Sequence, residues 1–444
     1  MCRCLMKKIV MKRNVFIKLL ISACVSTVLI FVSCLFYSCD SSDNVDTPEV
    51  PEPPFVYHSF EPIELTAKQG EKASADNHFT FKMFKEVSVL NGQNTFFSPL
   101  SLNMALGMLY NGASGDTRTE MAEALGLADF SDAEINKYYQ KISQSLQEID
   151  PLTEIGIANS IWCRDGFSVK QPFFDINQTY FDATVRTLDF NKPDAADIIN
   201  NWCAEKTKDR IKEIVEKPIA NEAMMYLINA LYFKGRWESV FNEKLTKQDV
   251  FTNSDNQEQK VNMMTQTTFF PYYEDSYLQS VELPYGNRAF GMVVILPANN
   301  RSLDRLIEYL EEEDVAWQNI VENMNLNWRE VHLKLPRFET KCEFVLNEPV
   351  MNVGMKKIFS GGFANISDDD LFVSGIKQKT FVSVNEEGSE AAAITVIGMY
   401  TADFPDVPPP PPVPFFANRP FLYLIKEKST GVILFIGRMD DPAK

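Results

Sequence analysis

Catalytic chemistry in this chain would have to start from three histidines, and none is set up for it. His58 lies where a proline-rich stretch ends, His78 falls in a helical pattern, and His332 sits on the polar face of an alternating strand. Nucleophilic catalysis needs a base held against a Ser or Cys by a third group, and no recognisable nucleophile context surrounds any of the three. The cysteine and histidine spacings match no metal site, and neither a GxGxxG nor a P-loop pattern is present. Asp368, Asp369 and Asp370, like the acidic run 311–314, read as solvated charge. The chain is therefore expected to be no enzyme, with no metal and no cofactor.

The most informative residues lie at 383–414, SVNEEGSEAAAITVIGMYTADFPDVPPPPPVP. Successive strand residues point to opposite faces, so parity decides what such a segment buries. From Ser389 the odd positions are Ser389, Ala391, Ala393, Thr395, Ile397, Met399 and Thr401, all small or apolar. The even set begins with Glu390 and continues Ala392, Ile394, Val396, Gly398 and Tyr400. One face suits a tightly packed core and the charge sits on the other. Gly388 supplies a joint that can swing. Glu386, Glu387 and Glu390 favour solvent, and consecutive alanines are poor strand formers. The segment reads as a loop able to become a strand. By loop composition alone, a mobile surface loop with a short helix over 386–393 is the alternative.

Something must position that loop. The 444 residues are 45% hydrophobic and 12% aromatic, enough for a sizeable core, and the net charge of -17 argues against a nucleic-acid partner. Residues 1–39 are expected to be an export signal: Lys7, Lys8, Lys12, Arg13 and Lys18 precede an apolar run. The run ends in a lipoprotein-like box that places lipid on Cys39, with Cys34 as the weaker position. A lipid there anchors the protein to a membrane without spanning it; the protein is then a cell-envelope lipoprotein, or extracellular if the signal is a plain one. Residues 40–56 are acidic, then proline-rich, and read as a tether. The globular part takes in 57–444. Its cysteines, Cys163, Cys203 and Cys342, are odd in number and scattered, which fits buried free thiols.

Along the globular part, helical spacing covers 76–87, and Pro99 opens a helix with Leu102, Ala105, Leu106 and Leu109 on one face. Further helices are expected over 117–125, with Thr117 and Glu120 in capping-box spacing, over 131–147 and over 195–215. Strands are expected over 155–163, 224–233, 331–336 and 380–384, with hairpins through Tyr285-Gly286-Asn287 and Ser429-Thr430-Gly431. Helices come first and strands dominate the end, so the class is α+β with large antiparallel sheets.

Several of these stretches resemble one family. NTFFSPLS at 94–101, LINALYFKGRW at 227–237, VELPY at 281–285, LPRF at 335–338, VNEEGSEAAA at 384–393, NRPF at 418–421 and FIGR at 435–438 are similar, in order, to motifs of the serpins. The resemblance covers 57–444. It implies three β-sheets, eight to nine helices and an exposed reactive-centre loop. It implies a monomer whose partner is a target protease, which attacks the loop and is trapped as an acyl-enzyme when the loop inserts into the central sheet.

In that reading the hinge is Glu386, Glu387, Gly388, Ser389, Glu390, Ala391, Ala392 and Ala393. The family's count puts the scissile bond at Ala402-Asp403, with Met399, Tyr400 and Thr401 as near alternatives. No Lys or Arg occurs between Glu390 and Asn418, which disfavours a trypsin-like target. Elastase-, subtilisin- or chymotrypsin-like serine proteases fit, and a cysteine protease is the cross-class option. Ser98, Ser101 and Asn229 match the shutter under the central sheet, where Gln378 stands in place of the histidine of many members. The competing function is a non-inhibitory serpin acting as a surface binding protein. The proline run 408–412 with Pro414 departs from the family pattern and reads as a stiff arm or a tolerated insertion.

Overall fold

The computed structural model describes residues 60–90, 94–313, 315–389 and 410–444. Among them are nine α-helices: α1 (Ala67–Ser88), α2 (Pro99–Tyr110), α3 (Gly115–Ala124), α4 (Asp132–Glu148), α5 (Gln171–Phe181), α6 (Ala195–Lys206), α7 (Leu303–Glu312), α8 (Ala316–Leu326) and α9 (Asn347–Asn352). The class is α+β, with three sheets.

The central sheet runs β10 (Phe338–Val345), β11 (Lys377–Val384), β12 (Gly388–Ser389), β4 (Met225–Arg236), β2 (Thr153–Arg164), β3 (Thr184–Leu188). A second sheet orders β1 (Thr95–Phe97), β15 (Ile433–Met439), β14 (Phe421–Glu427), β8 (Phe290–Pro297) and β7 (Leu278–Tyr285), closing on β6 (Glu258–Glu274). The long β6 pairs with β7 only through 272–274; its earlier residues pair with β5 (Lys247–Thr252) and β9 (Trp328–Pro336) in the third sheet. β13 (Val413–Phe416) is the edge of that sheet, parallel to β9. Both expected hairpins form, β7–β8 and β14–β15.

Both faces of the central sheet are covered. Helix α2 packs on β4 and on β15, and eleven of its residues are buried, so it is apolar on nearly every side. Pro99 fills the first helical position, where a missing N–H costs nothing, and Ser98 caps it by accepting from the Ser101 N–H. On the opposite face α6 closes a second cluster of Trp162, Ile199, Trp202, Ile228 and Ala230.

Three expected helices differ at their ends. α1 begins at Ala67, nine residues before Asp76, because Thr66 and Gln69 form a capping box. α3 begins at Gly115 after Ser114. Thr117 is not its cap, and its hydroxyl donates to the Gly361 carbonyl. α6 stops at Lys206, and Ile211 and Ile214 belong to no helix. Lys208 and Asp209 take positive φ, and the Asn200 side chain accepts from the Ile214 and Val215 N–H groups while donating to the Val215 carbonyl. Those bonds fix the segment that follows outside the helix.

Candidate functional site

The site lies where the central sheet is incomplete. β12 is two residues long and is the only element between β11 and β4 among the described residues. Ser389 sits opposite Val384 on one side and Gly235 on the other, and Gly388 sits opposite Arg236. Beyond this wedge β11 and β4 make no ladder with each other. A cavity of about 660 Å³ extends along the parted strands and beneath them.

Ser98, Ser101, Asn229 and Gln378 all line that cavity. Gln378 binds α2's first turn at two points: its Oε1 accepts from the Ser98 N–H and its Nε2 donates to the Ser98 carbonyl, both at 2.8 Å. The Ser98 hydroxyl donates to the Leu434 carbonyl at 2.9 Å. Ser101 Oγ reaches the Asn229 carbonyl at 3.4 Å, and Asn229 Nδ2 donates to Asn159 Oδ1 at 2.7 Å. The two parted strands are thus each tied to α2, β11 through Gln378 and β4 through Ser101. Asn229 Oδ1 is buried without a donor.

The hinge is built by residues far apart in the chain. Asn385 Oδ1 accepts from the Glu387 and Gly388 N–H groups, which shapes the turn out of β11. Gly388 has φ 154°, and a Cβ there would stand 2.1 Å from the Gly235 carbonyl oxygen, so only glycine passes this close. Ser389 is 1% exposed, with its hydroxyl 2.7 Å from that of Tyr285. Tyr285 stacks on Trp237 at 4.4 Å between ring centroids, and Trp237 Nε1 donates to the Asn385 carbonyl. Burial pushes the Tyr285 phenol well above its ordinary range, so it remains a hydrogen-bonding neutral group.

Glu386 corrects the expectation that it favours solvent. It is 1% exposed and accepts from the Thr246 hydroxyl at 2.7 Å and from the Arg337 guanidinium. Burial alone would raise its carboxyl, yet the hydrogen bonds from Thr246 and Arg337 outweigh it and hold the group below the ordinary carboxylate range. A helix over 386–393 is also overturned at its start, since Gly388 and Ser389 are strand. Tyr285, Trp237 and Arg337 lie within the quoted motifs but carried no assigned role, and Thr246 gave no signal in the sequence. Glu390, Ala391, Ala392, Ala393, the bait positions 399–403 and Cys39 lie outside the described residues.

The central sheet is thus parted between β11 and β4, with the two-residue β12 at one end of the gap. The chain belongs to the serpin family. A family profile described as "Serpin (serine protease inhibitor)" matches residues 74–442. An uncharacterized serpin-like protein of Thermococcus kodakarensis is 32% identical, over 94% of this chain and 98% of its own length. Iripin-1 of Ixodes ricinus is also 32% identical, over 87% of this chain and 99% of its own. Among solved structures, the thermophilic serpin tengpin in its native state aligns with a TM-score of 0.74 at 30% identity, covering 85% of this chain and 95% of tengpin.

Proposed function

We propose that this protein is a suicide-substrate inhibitor of serine endopeptidases, elastase-, subtilisin- or chymotrypsin-like. A protease opens the loop after Ser389 and is held as an acyl-enzyme while the loop enters the gap between β11 and β4. The observation that carries this reading is the wedge: Gly388 and Ser389 already occupy the first two positions of a missing strand, with the gap open ahead of them.

The register supports it residue by residue. An antiparallel ladder continues with one strand ascending as its neighbour descends. Extended past Ser389, it sets Glu390 opposite Lys234 and Ser383, on the face where a cross-strand ion pair can form. It sets Thr395 opposite both Asn229 and Gln378, which offers a hydroxyl to the donor-less Asn229 Oδ1. Odd positions face the same side as Leu231 and Phe233, where Ala391 and Ala393 add little volume. Even positions Ile394 and Val396 come opposite Ala230 and Ile228 in the cluster under α6.

Insertion of such a strand forms on the order of ten backbone hydrogen bonds at about 1 kcal/mol each. Burial of its apolar face adds about 25 cal/mol per Å². A gain of that size makes trapping effectively irreversible, with the native state held kinetically.

The test is incubation with pancreatic elastase and chymotrypsin, followed by a denaturing gel and mass spectrometry of the released C-terminal peptide. A covalent band and a new terminus within 399–403 are expected. Clean cleavage without a band overturns inhibition in favour of a non-inhibitory role. The envelope placement belongs to the same reading. Incorporation of labelled palmitate is expected in the full chain and absent from Cys39→Ser; incorporation that persists in the variant moves the anchor to Cys34.

A further inference from the structure

A second cavity, of about 550 Å³, lies against β4 at the end that carries the hinge, and no part of the reading above uses it. Gln147, the turn 150–155, Lys234 and Arg236 line it. Lys234 and Arg236 are two residues apart on one strand, so they share a face about 7 Å apart. Arg236 Nε is fully buried and meets no acceptor. Among the described residues no carboxylate lies within ion-pair distance of either cation.

Glu154 stands directly opposite Lys234 in the β2–β4 ladder, and both acids of the wall are held by other donors. Glu154 pairs with Lys208 at 3.2 Å. Asp150 accepts from the Leu152 N–H, the Thr153 hydroxyl and, at 3.4 Å, the Asn287 N–H. Two cationic side chains without an ion-pair partner therefore share one open pocket.

We infer that this pocket binds a small oxyanion. Arg236 offers its terminal guanidinium nitrogens, and Lys234 adds a compact charge. A carboxylate and an inorganic phosphate or sulfate share this chemistry. Resting on the insertion reading, the site also couples to the hinge: Lys234 is the residue that Glu390 would meet on entering the sheet. An anion held at Lys234 therefore competes with the first step of insertion and diverts the cleaved loop from trapping to simple hydrolysis.

The test uses the full chain in chloride buffer at fixed ionic strength, titrated calorimetrically with sodium phosphate and, separately, sodium acetate. Saturable binding is expected, weakened at least tenfold in Arg236→Gln. Tighter phosphate identifies the tetrahedral ion as the source and tighter acetate a carboxylate. General salt stabilisation acts alike on wild type and variant. No heat with either salt, or equal binding in Arg236→Gln, overturns the site. Lys234→Gln serves if Arg236→Gln fails to fold: the same weakening is expected, and unchanged binding again overturns the site. With elastase, phosphate is expected to raise the moles of inhibitor consumed per protease trapped in wild type but not in Lys234→Gln. An unchanged ratio with intact phosphate binding overturns the coupling alone. Absence of any covalent complex is a failure of the inhibitory reading, and the titration still decides the site.

Discussion

Ser389 Oγ and the Tyr285 hydroxyl stand 2.7 Å apart in a fully packed setting, at the end of the two-residue β12. A small neutral side chain fits because it can both pack and bond there. Arginine at this position would bring a charge into a packed setting, and an unpaired buried charge is strongly disfavoured. Ser389→Arg is expected to expel the wedge and convert the protein from inhibitor to substrate. An SDS-stable complex formed by the variant as efficiently as by wild type would sink the insertion argument.

Glu386 holds the turn before the wedge. Its depressed carboxyl contributes stability that is fully present above the ordinary value of 4.5 and is lost as pH falls through the lower folded value. Urea-unfolding midpoints are expected to hold steady for this group from pH 8 to about 5 and to decline below that. Glu386→Gln should lower stability at pH 7 by about 1.5–3 kcal/mol, the usual worth of a hydrogen bond to a charged group. It should also flatten the acid limb. An acid limb identical in the variant would show that the Thr246 and Arg337 contacts carry no such role.

Gln378 satisfies both backbone groups of Ser98. Gln378→Ala leaves the buried Ser98 N–H without a partner, at about 1–3 kcal/mol, while the Ser98 carbonyl keeps the Leu102 N–H. The amide does not titrate, so no part of the shutter's stability is expected to change between pH 7 and 5. Gln378→His introduces a titrating group, and a pH-dependent midpoint should appear with it. A loss of stability over that range in wild type that vanishes in Gln378→Ala would contradict this account.

Far from the hinge, Lys426 on β14 and Glu282 on β7 form an ion pair at 3.2 Å, with both side chains at most 1% exposed. Glu282 lies over Gly291, where a Cβ would meet its Oε1 at 2.3 Å. Neither charged group makes a hydrogen bond beyond the pairing itself. Removing one partner, as in Lys426→Met, should destabilise by about 3–5 kcal/mol, because a lone buried charge remains. Glu282→Leu combined with Lys426→Met should recover most of that loss. Thermal unfolding of the two single variants and the double variant gives the comparison; additive losses in the double variant would refute the coupling.

Much of the fold was legible because it rests on local rules. Parity along 389–401 was readable from the sequence, but of those positions only Ser389, which is buried, lies among the described residues. Tyr285-Gly286-Asn287 marked a hairpin because the turn needs the positive φ that Gly286 adopts. Pro99 after Ser98 marked a helix start because Ser98 accepts from an otherwise unpaired N–H and Pro99 has no N–H to leave unpaired. Motif order pointed to the family and singled out Ser98, Ser101, Asn229 and Gln378, which line one cavity.

Other features depended on partners that lie far along the chain. Ile211 and Ile214 have helical spacing, yet Asn200 bonds the backbone that follows and ends α6 early. Glu386 reads as a solvent-seeking acid until Arg337, forty-nine residues away, is brought beside it. Arg236 reads as one more surface cation, and only the fold leaves its Nε buried without an acceptor. Local sequence encodes periodicity, caps and turns. Whether a charge is solvated, paired or left waiting depends on which distant groups the sheets bring together, and that only the tertiary structure decides.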